Sequence, residues 1–140
     1  MIIAIRISGM VNMTAKMQET LHRLRIRRKY SAVLLKPSKD NLKILKKARN
    51  HIAYGDIDKE TLSLLIQKRA LPKNKQKKLS TEKIIEEIDK KDSAAWEIKP
   101  FFRLHPPRGG IDAKNHFGTS RKAVLGDNKE KINELVRRML

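Results

Sequence analysis

The chain has 140 residues, enough for one domain with an elaboration and a core that buries roughly two thirds of its unfolded surface. Lys and Arg number 33 against 15 Asp and Glu, and the formal charge of +18 argues against a free-standing enzyme of small neutral metabolites and for a polyanionic partner. Cysteine is absent, which excludes disulfides, zinc ribbons and thiol chemistry, and no apolar run approaches the roughly 18 residues of a membrane span. The N-terminal MIIAIRISGM is a poor signal peptide because Arg6 interrupts its short apolar run. A folded, cytoplasmic, polyanion-binding protein is the expectation.

Residues 2–8, IIAIRIS, put Ile3, Ile5 and Ile7 on one face and Ala4, Arg6 and Ser8 on the other, the pattern of a half-buried strand. NMTAKMQETLHRLR then spaces Met13, Met17, Leu21 and Leu24 as a helical stripe, with Asn12 or Thr14 as N-cap and an end near Arg25. Met10 reads with Met13 and Met17 as core and helix face. SAVLLK, 31–36, is a second strand closed by Pro37. A second helix with Leu42, Leu45 and Ala48 inward follows, then a third strand, HIAY, ended by Gly55. The order is βαβαβ. Because the first strand alternates, a sheet with helices on one face is predicted, its other face open to a partner.

Beyond residue 56, Asp58 caps a third helix carrying Leu62, Leu65, Ile66 and Ala70, and LPKNKQKKL, 71–79, is a lysine-rich connector. Residues 81–91 form a short amphipathic helix with Ile84, Ile85 and Ile88 inward. In DNKEKINELVRRML, Asp127 and Glu130 have capping-box spacing, and Ile132, Leu135, Val136 and Met139 mark an amphipathic helix that must dock. The organisation is a core at 1–56 and an extension at 57–140 that includes an irregular basic segment at about 99–126.

The charge lies in patches. Residues 21–29 hold five basic and no acidic side chains, and residues 99–122 hold six basic and one acidic. A single such run is usually a solvated face, but several in one short chain point to nucleic acid. Four of the six aromatics, Trp96, Phe101, Phe102 and Phe117, fall near the second patch, where they could stack on bases or simply anchor the segment in the core.

RLHPPRGGIDAKNHFG, 103–118, has neither helical nor strand periodicity. It could be an active-site loop around His105, Asp112 and His116, a phosphate-gripping loop, or a surface ordered by a partner. The spacing of the three polar residues fits no helix-borne ligand pair and no familiar triad, and Gly109-Gly110 lacks the Lys-Ser or Lys-Thr of a nucleotide-binding loop. No cofactor and no metal site are expected. Pro106 and Pro107 stiffen the backbone, Gly109 and Gly110 permit a sharp turn, and Arg103, Arg108 and Lys114 supply charge, so the segment suits threading along folded RNA.

IIAIRISGMVNMTAKMQETLHRLRIRRKYSAVLL, NHIAYGDIDKETLSLLIQKRAL, RLHPPRGGID and INELVRRML together resemble the archaeal and eukaryotic form of large-subunit ribosomal protein thirty, over nearly the whole chain and in order. The resemblance implies an α+β fold, a ferredoxin-like variant with a three-stranded antiparallel sheet and a C-terminal extension. It also implies a non-enzymatic constituent of the large ribosomal subunit that holds large-subunit ribosomal RNA beside neighbouring ribosomal proteins, in single copy, with no membrane or small-molecule substrate. A free basic RNA-binding regulator or chaperone is the alternative. The expected RNA contacts are Asn12, Thr14, Arg23, Arg25, Arg27, Arg28, Lys29, Arg49, Arg103, His105, Pro106, Pro107, Arg108, Gly109, Gly110, Lys114, His116, Arg121 and Lys122.

Overall fold

A computed structural model describes residues 1–11, 13–73, 81–90 and 96–140. Asn12 and most of the lysine-rich connector lie outside the described residues.

Strands β1 (Ile2–Arg6), β2 (Ser31–Leu35) and β3 (Ile52–Asp56) alternate with helices α1 (Ala15–Arg23) and α2 (Lys39–Ala48), as the periodicities predict. Helix α3 (Lys59–Arg69) and helix α4 (Thr81–Lys90) follow. The chain ends with β4 (Phe102–Arg103), β5 (Asp112–His116), β6 (Ala123–Asp127), a 3-10 turn at Lys129–Lys131 and helix α5 (Ile132–Met139). The fold is α+β. Its sheet has six strands in the order β4-β2-β1-β3-β6-β5, not three. β2, β1 and β3 form the antiparallel centre, β4 adds antiparallel to β2, and β6 and β5 add in parallel beyond β3. The sheet therefore runs without interruption across the 56/57 boundary.

The core helices α1 and α2 do lie on one face of the sheet, but the opposite face, expected to stay open, is covered by helices of the extension. Ile2, Ala4, Val33, Ile52 and Tyr54 pack on one face against Leu21 of α1 and Leu45 and Ala48 of α2. Ile3, Ile5, Leu34, Ala53 and Val124 pack on the other against α3, α4 and α5, including Leu65, Ile88, Leu135 and Val136. Among the described residues, both faces of the central strands β2, β1 and β3 carry helices, so the face expected to stay open is covered. The misleading signal was in β1, where Ala4 looked like a solvent position but is a small side chain under a helix, and where Arg6 is fully buried. The docking of α5 matches its periodicity. Burial of Ile132, Leu135, Val136 and Met139 stabilises it by at most about 1.5–3 kcal/mol per side chain.

Smaller differences have local causes. Thr14 is the N-cap of α1, with no capping bond from its side chain, and Met13, which precedes it, lies outside the helix, half-buried against the α1–α2 face. Met10 is 56% exposed rather than core, because β1 ends at Arg6 and the chain then leaves the sheet. Leu42 sits at the edge of the buried stripe of α2 and is exposed. Asp127 and Glu130 do not form a capping box: Asp127 Oδ1 accepts from the Lys129 backbone N–H at 3.0 Å, and a 3-10 turn precedes α5.

Residues 99–126 are not irregular throughout, since they carry three strands. β5 is polar and half-exposed at the sheet edge, so no alternation announces it, while β6 reads AVLG and is buried on both sides. The return from β5 to β6 takes six residues, 117–122, far shorter than the usual crossover between parallel strands. Asp112 ties it together: its carboxylate accepts from the Lys114 and Asn115 backbone N–H groups, from Asn115 Nδ2 at 2.7 Å and from Ser120 Oγ at 3.1 Å.

Candidate nucleic-acid interface

The basic loop after α1 is shaped from inside the protein. Arg25 and Tyr30 take positive φ values of 63° and 62°, a left-handed backbone that costs a residue with a Cβ about 1 kcal/mol or more. Arg6 over-determines that conformation. Its Nη1 donates to the carbonyls of Ile26 at 3.2 Å and Arg27 at 2.6 Å, its Nε to Ser8 at 3.0 Å and its Nη2 to Gly9 at 2.9 Å. Its own carbonyl accepts from Tyr30 N–H at 2.7 Å, and the Ile26 side chain is buried below. Arg25, Arg27, Arg28 and Lys29 consequently stand exposed on a fixed backbone. Burial lowers the Arg6 pKa, yet four carbonyl partners favour the charged guanidinium. Sequence reasoning missed this residue, although an arginine inside an otherwise apolar strand was its visible signal.

Strand β4 brings the second basic patch to the first. Ser31 pairs with Arg103 and Ala32 with Phe102, so Arg103 and Lys99 reach the loop after α1. Together they enclose a cleft of about 450 Å³ lined by Arg25, Arg27, Arg28, Ser31, Lys99, Pro100, Phe101 and Arg103. Among the described residues, five cations and no carboxylate line it, an arrangement suited to phosphate oxygens and forked Arg–phosphate pairing. Phe102 and Trp96 are core residues, whereas Phe101 is half-buried at the cleft wall.

The PPRGG loop is latched onto the end of α5. His105 N–H donates to Met139 O and Arg108 N–H to Arg138 O, while Arg138 returns its Nε to Arg108 O at 2.9 Å and its Nη2 to Gly110 O. Gly109 and Gly110 have φ values of 77° and 69°, the left-handed turn their lack of Cβ permits. Lys122 Nζ donates to Gly109 O at 3.1 Å. The exposed side chains are His105, Pro106 and Arg108, whereas Pro107 is buried and anchors the loop instead of facing outward. Arg138, absent from the expected set, is the residue that holds the loop.

A third group forms around the β5–β6 end. Lys46 of α2 and Arg49 at its C-cap meet Tyr54, His116, Phe117, Leu125, Gly126 and Asp127 around a cleft of about 610 Å³. Lys114 and Arg121 are exposed nearby in sequence. Arg23 stands apart from these clefts, exposed on α1 and paired with Glu19 one turn away. The Thr14 carbonyl accepts from the Met17 and Gln18 backbone N–H groups. His105, Asp112 and His116 are not assembled for acid–base work, because the Asp112 carboxylate is committed to its own turn, whose donors hold it below the usual carboxylate range.

No family model matches the chain. Full-length relatives do: the large ribosomal subunit protein uL30 of Methanococcus maripaludis is 36% identical across 97% of both chains. The uL30 of Hyperthermus butylicus is 35% identical over 97% of this chain and 88% of its own. That of Archaeoglobus fulgidus is 33% identical over 99% of each. At that identity over nearly every residue, the chain belongs to the large ribosomal subunit protein uL30 family, in its archaeal form.

Proposed function

We propose that the chain is a structural constituent of the cytoplasmic large ribosomal subunit, and that its clefts and latched loops grip folded ribosomal RNA. Near-complete alignment with archaeal uL30 proteins carries the ribosomal role, and the role is not enzymatic. Association with ribosomal RNA and with other ribosomal proteins follows from it. The finer assignment rests on charge and geometry: the five-cation cleft between the loop after α1 and β4 suits backbone phosphates.

In this reading Arg25, Arg27, Arg28, Lys29, Arg103, His105, Arg108, Lys114, Arg121 and Lys122 touch RNA, and Thr14, Arg23, Arg49 and His116 extend the surface. Asn12 belongs to the same proposal by sequence alone. Pro106, Gly109 and Gly110 let the backbone approach closely. Residues 1–56 act as the core module and 57–140 as the extension that carries most of the grip. One copy serves each subunit.

The test is equilibrium binding to large-subunit ribosomal RNA across a salt series. Each phosphate contact contributes a slope of about 0.9 in log affinity against log salt, so Arg108→Ala is expected to weaken binding and to reduce the slope by about one. Unaltered affinity and slope would remove the PPRGG loop from the interface.

A further inference from the structure

We propose that the cleft between α2 and the β5–β6 end receives one unstacked guanine nucleotide of the bound RNA. The proposal rests on the RNA-binding reading and specifies one of its contacts.

The lining separates this cleft from the five-cation one. Lys46 and Arg49 supply charge for a phosphate, but Asp127 stands exposed among them and Phe117 is 37% exposed. A site for phosphate alone gains nothing from a carboxylate, which repels the ligand, or from an aromatic ring. A nucleotide accounts for all three. Its phosphate meets the cations, its π-face meets Phe117 and its hydrogen-bond donors meet Asp127. An ionised carboxylate only accepts, so it selects a base by its donors. Guanine carries two adjacent donors on its pairing edge, N1–H and the N2 amino group, which match the two oxygens of one carboxylate. Other bases offer one donor group on that edge.

The local structure holds these groups in place. Asp127 Oδ1 accepts from the Lys129 backbone N–H at 3.0 Å, which orients the carboxylate. Lys131 Nζ lies 5.6 Å from the Phe117 ring centroid, and Phe117 N–H donates to Leu125 O at 2.8 Å. Gly126 has φ 89°, and a Cβ there would come within 3.3 Å of His116 Nδ1, so glycine lets the imidazole lie against the cleft floor. Tyr54 pairs with Asp127 across β3 and β6, and burial and then the charge of that carboxylate push its phenol above the ordinary value. The volume of about 610 Å³ falls within the roughly 300–1,000 Å³ of small-molecule sites.

The experiment titrates the whole chain with 5′-GMP, 5′-IMP, 5′-AMP, 5′-UMP and inorganic phosphate, following backbone amide resonances by NMR. IMP differs from GMP by the N2 amino group alone. GMP is expected to shift His116, Phe117 and Gly126 saturably and to bind about fivefold or more tighter than IMP and AMP, the lower end of discrimination by a two-point base contact. Asp127→Asn keeps an oxygen for the Lys129 N–H and is expected to erase that preference. Equal affinity for all four nucleotides, shifts reproduced by phosphate, no binding at millimolar nucleotide, or a preference that survives Asp127→Asn would each overturn the proposal. Ribosomal RNA binding by the same sample separates the two readings: if it persists, only the guanine site falls, and if it is absent, the RNA reading falls too.

Discussion

Loop 24–30 and loop 105–111 both carry arginines to the surface, and each is held by a different arginine that donates to its backbone carbonyls. Arg6 does this from the sheet interior, fully buried, with carbonyls on two separate loops. Arg138 does it from the half-exposed end of α5, with carbonyls of Arg108 and Gly110. The difference shows that cations in a basic protein divide into those that face the partner and those that shape the backbone that faces it. Where the shaping cation is buried, loop and core are coupled. Where it is half-exposed, the loop is expected to loosen while the core stays folded.

The largest effect expected from breaking this arrangement is at Arg6. Arg6→Met removes the donors to four carbonyls and leaves the partly buried ones unsatisfied, at a cost of about 2–4 kcal/mol in urea unfolding. RNA affinity should fall with it, because the left-handed residues of loop 24–30 lose their restraint. A stability change within experimental error would show that Arg6 does not hold the loop. Arg138→Ala is expected to cost about 1 kcal/mol and to speed hydrogen exchange at the Arg108 and Gly110 amides while core amides stay protected. Uniform loss of protection would mean that the two loops are coupled to the core alike.

The smallest effect is titration of His51, whose pKa is lowered by burial first and by the charge of Arg6 second. The folded chain disfavours the imidazolium, so stability is full above the ordinary histidine value and declines as pH falls through the lowered one. Unfolding midpoints between neutral and mildly acidic pH check the sign. In Arg6→Met the decline should be shallower, because the Coulombic part of the shift is gone.

The same contrast marks what could be read in the sequence. Helix α5 and the βαβαβ order were legible because apolar side chains at period 3.6 or 2 have few packing solutions. Arg6 was not, because a strand pattern assigns a polar residue to solvent, while the carbonyls that capture it come from residues 20 and 21 positions away. β5 was invisible for a related reason. Its residues, DAKNH, carry no apolar face, and its place in the sheet depends on a parallel partner and on the Asp112 turn. Pro107 was legible as a stiffener but not as an anchor, since burial there depends on how the loop is latched to α5. The charge patches were legible, but their union into one cleft was not, because the short strand β4 joins them through a single edge pairing.

Sedimentation of extract from cells that produce the chain, first in low and then in high salt, tests the central claim most directly. Comigration with the large subunit in both is the predicted result, since a folded protein gripping ribosomal RNA through many contacts stays bound when single phosphate contacts are screened. Recovery only at the top of the gradient would contradict it and would describe a free RNA-binding regulator instead.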